Sequence, residues 1–127
     1  MKPELNTVLI IEDDRSIAAL LAFMVEHEGL NPVVIWDGLE AKETINRGEI
    51  PALVLLDVML PRADGFELLE TIRADHRWEK VPVMMLTSRG SEHDISRAFD
   101  AGADDYVVKP FQPDELKARI RKLFKKS

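Results

Sequence analysis

The sequence contains no cysteine, which removes disulfides, thiol nucleophiles and cysteine-based zinc sites together. No apolar run reaches the roughly 18–20 residues that a membrane-spanning helix needs. The opening residues Met1–Thr7 (MKPELNT) do not read as a signal peptide. Basic residues are in deficit: 17 Lys and Arg stand against 23 Asp and Glu, a net charge of −6. That balance disfavours direct nucleic-acid binding, which needs a concentrated positive field. No two glycines are spaced as GxG and no GK[ST] loop occurs, so dinucleotide and P-loop fingerprints are missing. What remains is ordinary globular composition, 46% hydrophobic and 31% charged over 127 residues, enough for one self-supporting core. The expectation is a single cytoplasmic domain over residues 1–127, with residues 1–6 a flexible N-terminus.

Five short apolar runs punctuate the chain: Val8–Ile11, Val33–Trp36, Ala52–Leu56, Val81–Leu86 and Tyr106–Val108. The third, ALVLL, is continuous rather than alternating, as in a strand buried on both faces. Between the runs, apolar residues fall at helical spacing: Ile17, Leu20, Leu21, Met24 and Val25, and again Phe66, Leu68, Leu69 and Ile72. Gly29, Gly48 and Gly102 supply stops, and Pro113 suits the first position of a last helix. Strand and helix therefore alternate five times, which predicts a doubly wound α/β fold with helices on both faces of a parallel sheet. Pro32 and Pro82 are expected at the starts of their strands.

In such sheets the site lies beyond the carboxyl ends of the strands, where the strand order reverses. With order 2-1-3-4-5 the reversal falls between strands one and three. The first strand then delivers Glu12, Asp13 and Asp14, and the third delivers Asp57. Thr87 and Lys109, at the ends of strands four and five, follow along the same rim. Carboxylates about 5 Å apart repel by roughly 3 kcal/mol per pair at an effective dielectric of about 20. Such a cluster takes up protons or binds a hard divalent cation, and oxygen ligands suit Mg²⁺. Acids, a lysine and a hydroxyl donor together describe a place to hold a phosphoryl group beside a carboxylate nucleophile.

The segments IIEDD (Ile10–Asp14), LLDVMLPRADGFELL (Leu55–Leu69), VMMLTSRG (Val83–Gly90), GADDYVVKPF (Gly102–Phe111) and PDEL (Pro113–Leu116) together resemble the receiver domain of two-component response regulators. The resemblance runs from about Thr7 to Lys125. It implies a flavodoxin-like fold and a phosphorylation-operated switch that catalyses its own phosphorylation and dephosphorylation. Asp57 is then the phosphoacceptor, served by a sensor histidine kinase or a phosphotransfer protein. Mg²⁺ or Mn²⁺ is held by Asp13, Asp57 and the main-chain carbonyl of Met59, with Glu12 acting through water. Lys109 pairs with the phosphoryl oxygens, Thr87 moves toward them, and Tyr106 turns inward behind it. The Lys109–Pro110 peptide is expected to be cis.

Departures from the family's pattern are also legible. Met59 and Arg89 stand two residues after Asp57 and Thr87, where the resemblance implies side chains that border the reactive phosphoryl group and influence how long it survives, and Ser88 stands where alanine is usual. The GADDY segment and last helix look most like OmpR/PhoB-type transcription regulators, which implies a homodimer through the fourth helix, fifth strand and fifth helix. Asp105, Glu115 and Arg119 fit that face, while Ile95 falls where a basic residue is usual. A rival resemblance, to haloacid dehalogenase-like phosphohydrolases, needs a second aspartate where Met59 stands. A phosphorylation-independent interaction module is the third reading. Elsewhere, Asp14 reads as a helix cap, Met24, Met84 and Met85 as core, and His27, His76 and His93 as surface residues without ligand spacing.

Overall fold

The computed structural model describes residues 6–126. Its elements are β1 (Thr7–Ile11), α1 (Arg15–His27), β2 (Asn31–Ile35), α2 (Gly38–Arg47), β3 (Leu53–Asp57), β4 (Met59–Leu60), β5 (Ala63–Asp64), α3 (Gly65–Ala74), β6 (Val83–Thr87), α4 (Glu92–Asp100), β7 (Asp105–Val108) and α5 (Pro113–Lys126). Five strands form a parallel sheet in the order β2-β1-β3-β6-β7, while β4 and β5 pair as a small antiparallel ladder. With that ladder left aside, the order is the expected 2-1-3-4-5. The expected flexible segment 1–6 lies outside the described residues except for Asn6.

Four helices start at a short polar side chain that accepts a free backbone N–H of the first turn. Asp14 accepts from Ile17, Asp37 from Glu40, Asp64 from Phe66 and Ser91 from Asp94. Asp14 is thus the cap its position suggested. Gly48 ends α2 in the left-handed region at φ 82°, where a side chain would be strained. Pro113 opens α5 as expected.

Along each central strand the side chains alternate between two cores, one on each face of the sheet. Leu9, Ile11, Val54, Leu56, Val83 and Met85 pack with Ala41, Ile45, Phe66, Leu69, Ile72 and Ala98 of α2, α3 and α4. Val8, Ile10, Leu53, Leu55, Met84 and Leu86 pack with Leu21, Met24, Leu116 and Ile120 of α1 and α5. β3 is buried along its whole length, which explains its unbroken apolar run. Leu20, Leu39 and Phe99 fall at helical spacing in the sequence yet are exposed, because α1, α2 and α4 each turn only one stripe to the sheet.

Two strand starts differ from expectation. β2 begins at Asn31 rather than Val33 and ends before Trp36, whose ring lies under the Arg15 guanidinium at 4.2 Å. As an edge strand, β2 tolerates Pro32 as its second residue. Pro82 lies one residue before β6; its carbonyl still accepts the Val54 N–H at 2.9 Å. Trp78 is fully buried in the segment between α3 and β6.

Candidate functional site

β1 and β3 are hydrogen-bonded neighbours, so their carboxyl ends bring Glu12, Asp13 and Asp57 side by side. These three residues each offer a carboxylate oxygen, all within 4.8 Å of one another. Asp57 is 7% exposed at the end of a fully buried strand. Its Oδ1 accepts the Met59 N–H at 3.2 Å, and its Oδ2 lies 3.5 Å from Lys109 Nζ. Gly65 is required beneath it: a Cβ there would lie 2.3 Å from the Asp57 carbonyl oxygen and 2.6 Å from Val58 Cα. Both are main-chain atoms of the segment that presents Asp57, so no side chain fits.

Lys109 reaches the cluster from the end of β7, and the Lys109–Pro110 peptide is cis as expected. The Lys109 ammonium donates to Glu12 Oε1 at 2.6 Å, a shorter distance than to Asp57. The other Glu12 oxygen accepts the Asp14 N–H at 3.1 Å. Glu12 is nearly inaccessible, and burial raises its carboxyl above the ordinary carboxylate range despite Lys109 and the Asp14 N–H, which pull the other way. The sequence argument offered protons or a cation to relieve the cluster. The structure adds a third relief, an ion pair formed across 97 residues of chain.

Thr87 ends β6 and is fully buried. Its Oγ1 accepts the Arg89 N–H at 3.1 Å, which leaves the hydroxyl proton free to be donated. Tyr106 is buried in β7 and donates its hydroxyl to the Arg89 carbonyl at 2.5 Å. Burial also pushes the phenol above its ordinary range. Thr87 and Tyr106 therefore meet at the same residue of the loop between β6 and α4.

Met59 is 60% exposed beside Asp57. With Asp13, Arg62, Asp64, Glu67 and Arg89 it lines an open cavity of about 690 Å³. Among the residues of the expected dimer face, Arg119 already pairs within the chain, with Asp105 at 2.9 Å and Glu115 at 3.4 Å. Ile95 is half-buried against the core. The three histidines are exposed and scattered, as expected.

Sequence reasoning missed two supports of this site. Gly65 carried a signal only in its place after the acidic LLDVMLPRAD segment. Asp94 carried none beyond its spacing from Ser91, yet it grips Arg89 with both oxygens.

Comparison with known proteins agrees with this geometry. The family model for the response regulator receiver domain matches residues 8–121. The transcriptional regulatory protein CpxR of Escherichia coli (strain K12) is 42% identical over 123 residues, 97% of this chain and 51% of CpxR. The chain thus spans about half the length of the curated relatives it matches. Among solved structures, the Francisella response regulator 1452 receiver domain superposes with a TM-score of 0.86 at 33% identity, covering 95% of this chain and 98% of that one. The receiver domain of the sensor histidine kinase PA1611 from Pseudomonas aeruginosa PAO1 has a magnesium ion coordinated in its active site cleft. It superposes with a TM-score of 0.84 at 27% identity, covering 94% of this chain and 98% of that one. Among the described residues, no helix is long and apolar enough to cross a membrane.

Proposed function

The chain belongs to the response regulator receiver domain family, and from that premise we propose that Asp57 is its phosphoacceptor. The reading takes residues 1–127 as one cytoplasmic domain that does not itself bind nucleic acid. Its donor is a phosphohistidine on a sensor histidine kinase or a phosphotransfer protein. An Asp57 carboxylate oxygen attacks phosphorus, the nitrogen–phosphorus bond breaks, and its electron pair leaves with the imidazole. The observation that carries this reading is the cluster of Glu12, Asp13 and Asp57 with Lys109 at the ends of β1, β3 and β7.

The donor set suits a small hard cation. All its groups are oxygens, and one carboxylate oxygen from each of Glu12, Asp13 and Asp57 lies within 4.8 Å of the others. Asp13, Asp57 and the Met59 carbonyl would hold Mg²⁺ or Mn²⁺ directly, with Glu12 through water. When bound, the ion supplies positive charge against the phosphoryl oxygens.

The remaining work falls to the chain's own groups. The Met59 N–H orients Asp57 by holding one of its oxygens. Lys109, held by Glu12, offers its ammonium to a phosphoryl oxygen, and the free proton of Thr87 serves another. Each new bond at Thr87 shifts the loop that also receives Tyr106, so the state of Asp57 reaches the surface formed by α4, β7 and α5. On this reading the shifted face changes partner binding or joins two copies, and Arg119 then exchanges its own chain's acids for those of its partner.

Incubation with Mg²⁺ and acetyl phosphate tests the reading by intact mass. One added phosphoryl group is expected, and it is absent without metal and in Asp57→Ala. Uptake that persists in Asp57→Ala, or no uptake together with no beryllofluoride binding, contradicts it.

A further inference from the structure

Among the described residues, Arg62 alone has a positive φ without being glycine, at 64°. It follows Pro61 in the two-residue turn that joins β4 to β5. A turn with proline first and a positive φ second favours glycine at the second place, so the arginine is held there against its backbone preference. Its side chain is 62% exposed, and an exposed ion pair adds too little stability to offset that strain.

The guanidinium donates from Nη2 to Asp37 Oδ2 at 3.0 Å, while Asp37 Oδ1 accepts the Glu40 N–H and caps α2. One residue on, the Gly38 N–H donates to the Pro61 carbonyl at 2.9 Å. A Cβ on Gly38 would lie 2.1 Å from Ala63 Cβ and 2.9 Å from Ala63 Cα. The start of α2 thus grips three successive residues of the hairpin, Pro61, Arg62 and Ala63. The other end of the same hairpin belongs to the acid cluster. Met59 pairs with Asp64 and Leu60 with Ala63, so where the turn is held fixes the Met59 backbone, whose N–H binds Asp57 Oδ1 at 3.2 Å. Arg62, Met59 and Asp13 line one cavity. Two residue pairs are too few for a ladder to keep its own shape, so the hold from α2 matters.

We infer that Arg62 and Asp37 are positioning residues whose ion pair latches the β4–β5 hairpin to the start of α2 and so sets the Met59 carbonyl for a divalent cation. This rests on the reading of Asp13, Asp57 and the Met59 carbonyl as the cation site. The charge of Arg62 and its hold on the hairpin act in opposite directions. As a bare positive charge on the cavity wall, Arg62 opposes a cation, and its removal would tighten binding. As a latch it keeps a ligand in place, and its removal loosens binding. The sign of the effect therefore separates the two roles.

The test is Mn²⁺ affinity of the unphosphorylated protein, with free Mn²⁺ measured by its electron paramagnetic resonance signal. Arg62→Gly adopts the positive φ without strain, so the turn survives and only the side chain is lost. It is expected to weaken Mn²⁺ binding by about threefold, the size of an exposed ion pair. Asp37→Asn still caps α2 and is expected to weaken binding by about as much. Gly38→Ala changes no charge, pushes the hairpin off α2 and is expected to weaken binding by more than either. Binding as tight as wild type, or tighter, in any of these variants overturns the inference alone, and the first two decide it should Gly38→Ala fail to fold. A wild-type protein that binds no Mn²⁺, or binds it no better than Asp13→Asn does, overturns the cation site and this inference together.

Discussion

The two ends of the parallel sheet hold their charges in opposite ways. At the amino ends of β6 and β7, Arg73 of α3 donates to the carbonyls of Gly102 at 2.9 Å, Glu79 at 3.0 Å and Val81 at 2.7 Å. It also pairs with Asp104 at 3.0 Å, and Asp104 in turn accepts the Val83 N–H at 2.9 Å. One cation there meets one carboxylate and ties two loops to the start of two strands. At the carboxyl ends, three carboxylates cluster and the Lys109 ammonium pairs with two of them, Glu12 and Asp57. The first arrangement is complete within the chain. The second keeps negative charge in excess, and a cation or a phosphoryl group with its counter-ion can complete it.

Removing the central cation from each end separates the two cases. Arg73→Ala is expected to cost about 4 kcal/mol in urea unfolding, because it removes the donor from the Gly102, Glu79 and Val81 carbonyls and the guanidinium from Asp104. Added Mg²⁺ should not restore that loss beyond the gain seen in wild type. Lys109→Met is expected to cost about 3 kcal/mol without metal, since it leaves Glu12 buried and unpaired. Here millimolar Mg²⁺ should recover part of the loss. Equal responses to Mg²⁺ in the two variants would break the comparison.

Taking away an acid sharpens it further. Asp13→Asn is expected to stabilise the metal-free protein by about 1 kcal/mol, because it relieves repulsion at close range while burying nothing new. The same variant should lose the stabilisation by Mg²⁺ that wild type shows. A stability that falls in metal-free Asp13→Asn would mean that the cluster is already balanced.

The smallest effect is in the pH profile. Glu12 sits above its ordinary value of 4.5, chiefly through burial. Its contribution to stability is present below that value and is lost as pH rises through the folded value. Asp37, Asp75 and Asp94 sit below 3.8, held down first by the Glu40 N–H, the Arg77 side chain and the Ser91 hydroxyl respectively. Their contribution is present above pH 3.8 and is lost as pH falls below it. Thermal midpoints of the metal-free protein should therefore decline on both sides of a maximum. Glu12→Gln should flatten only the alkaline side.

The same contrast explains what the sequence disclosed. The carboxyl-end site was legible because an acidic residue has little structural reason to follow ALVLL, and the ends of the other strands deliver Asp13, Thr87 and Lys109 to the same rim. Five alternating patterns disclosed the doubly wound fold, and the order 2-1-3-4-5 taken for it brought Asp13 to Asp57. The amino-end knot was not legible. Arg73 reads as an ordinary charged residue at a helix end, and its acceptors are backbone carbonyls that every residue type carries. The ladder of Met59–Leu60 with Ala63–Asp64 was missed for a related reason. MLPRAD reads as a loop, and its shape is set from outside, by the Gly38 N–H on the Pro61 carbonyl and by Arg62 on Asp37. The grip of Asp94 on Arg89 was hidden because Asp94 also suits the first turn of any helix.

The central claim is that the unbalanced end of the sheet exists to carry a phosphoryl group on Asp57. Borohydride reduction of the phosphorylated protein, followed by peptide mass spectrometry, tests it most directly, since an acyl phosphate is reduced to the alcohol and its aspartate becomes homoserine. The account predicts homoserine at position 57 and at no other aspartate. Homoserine at position 13 or elsewhere, with position 57 still aspartate, would contradict it.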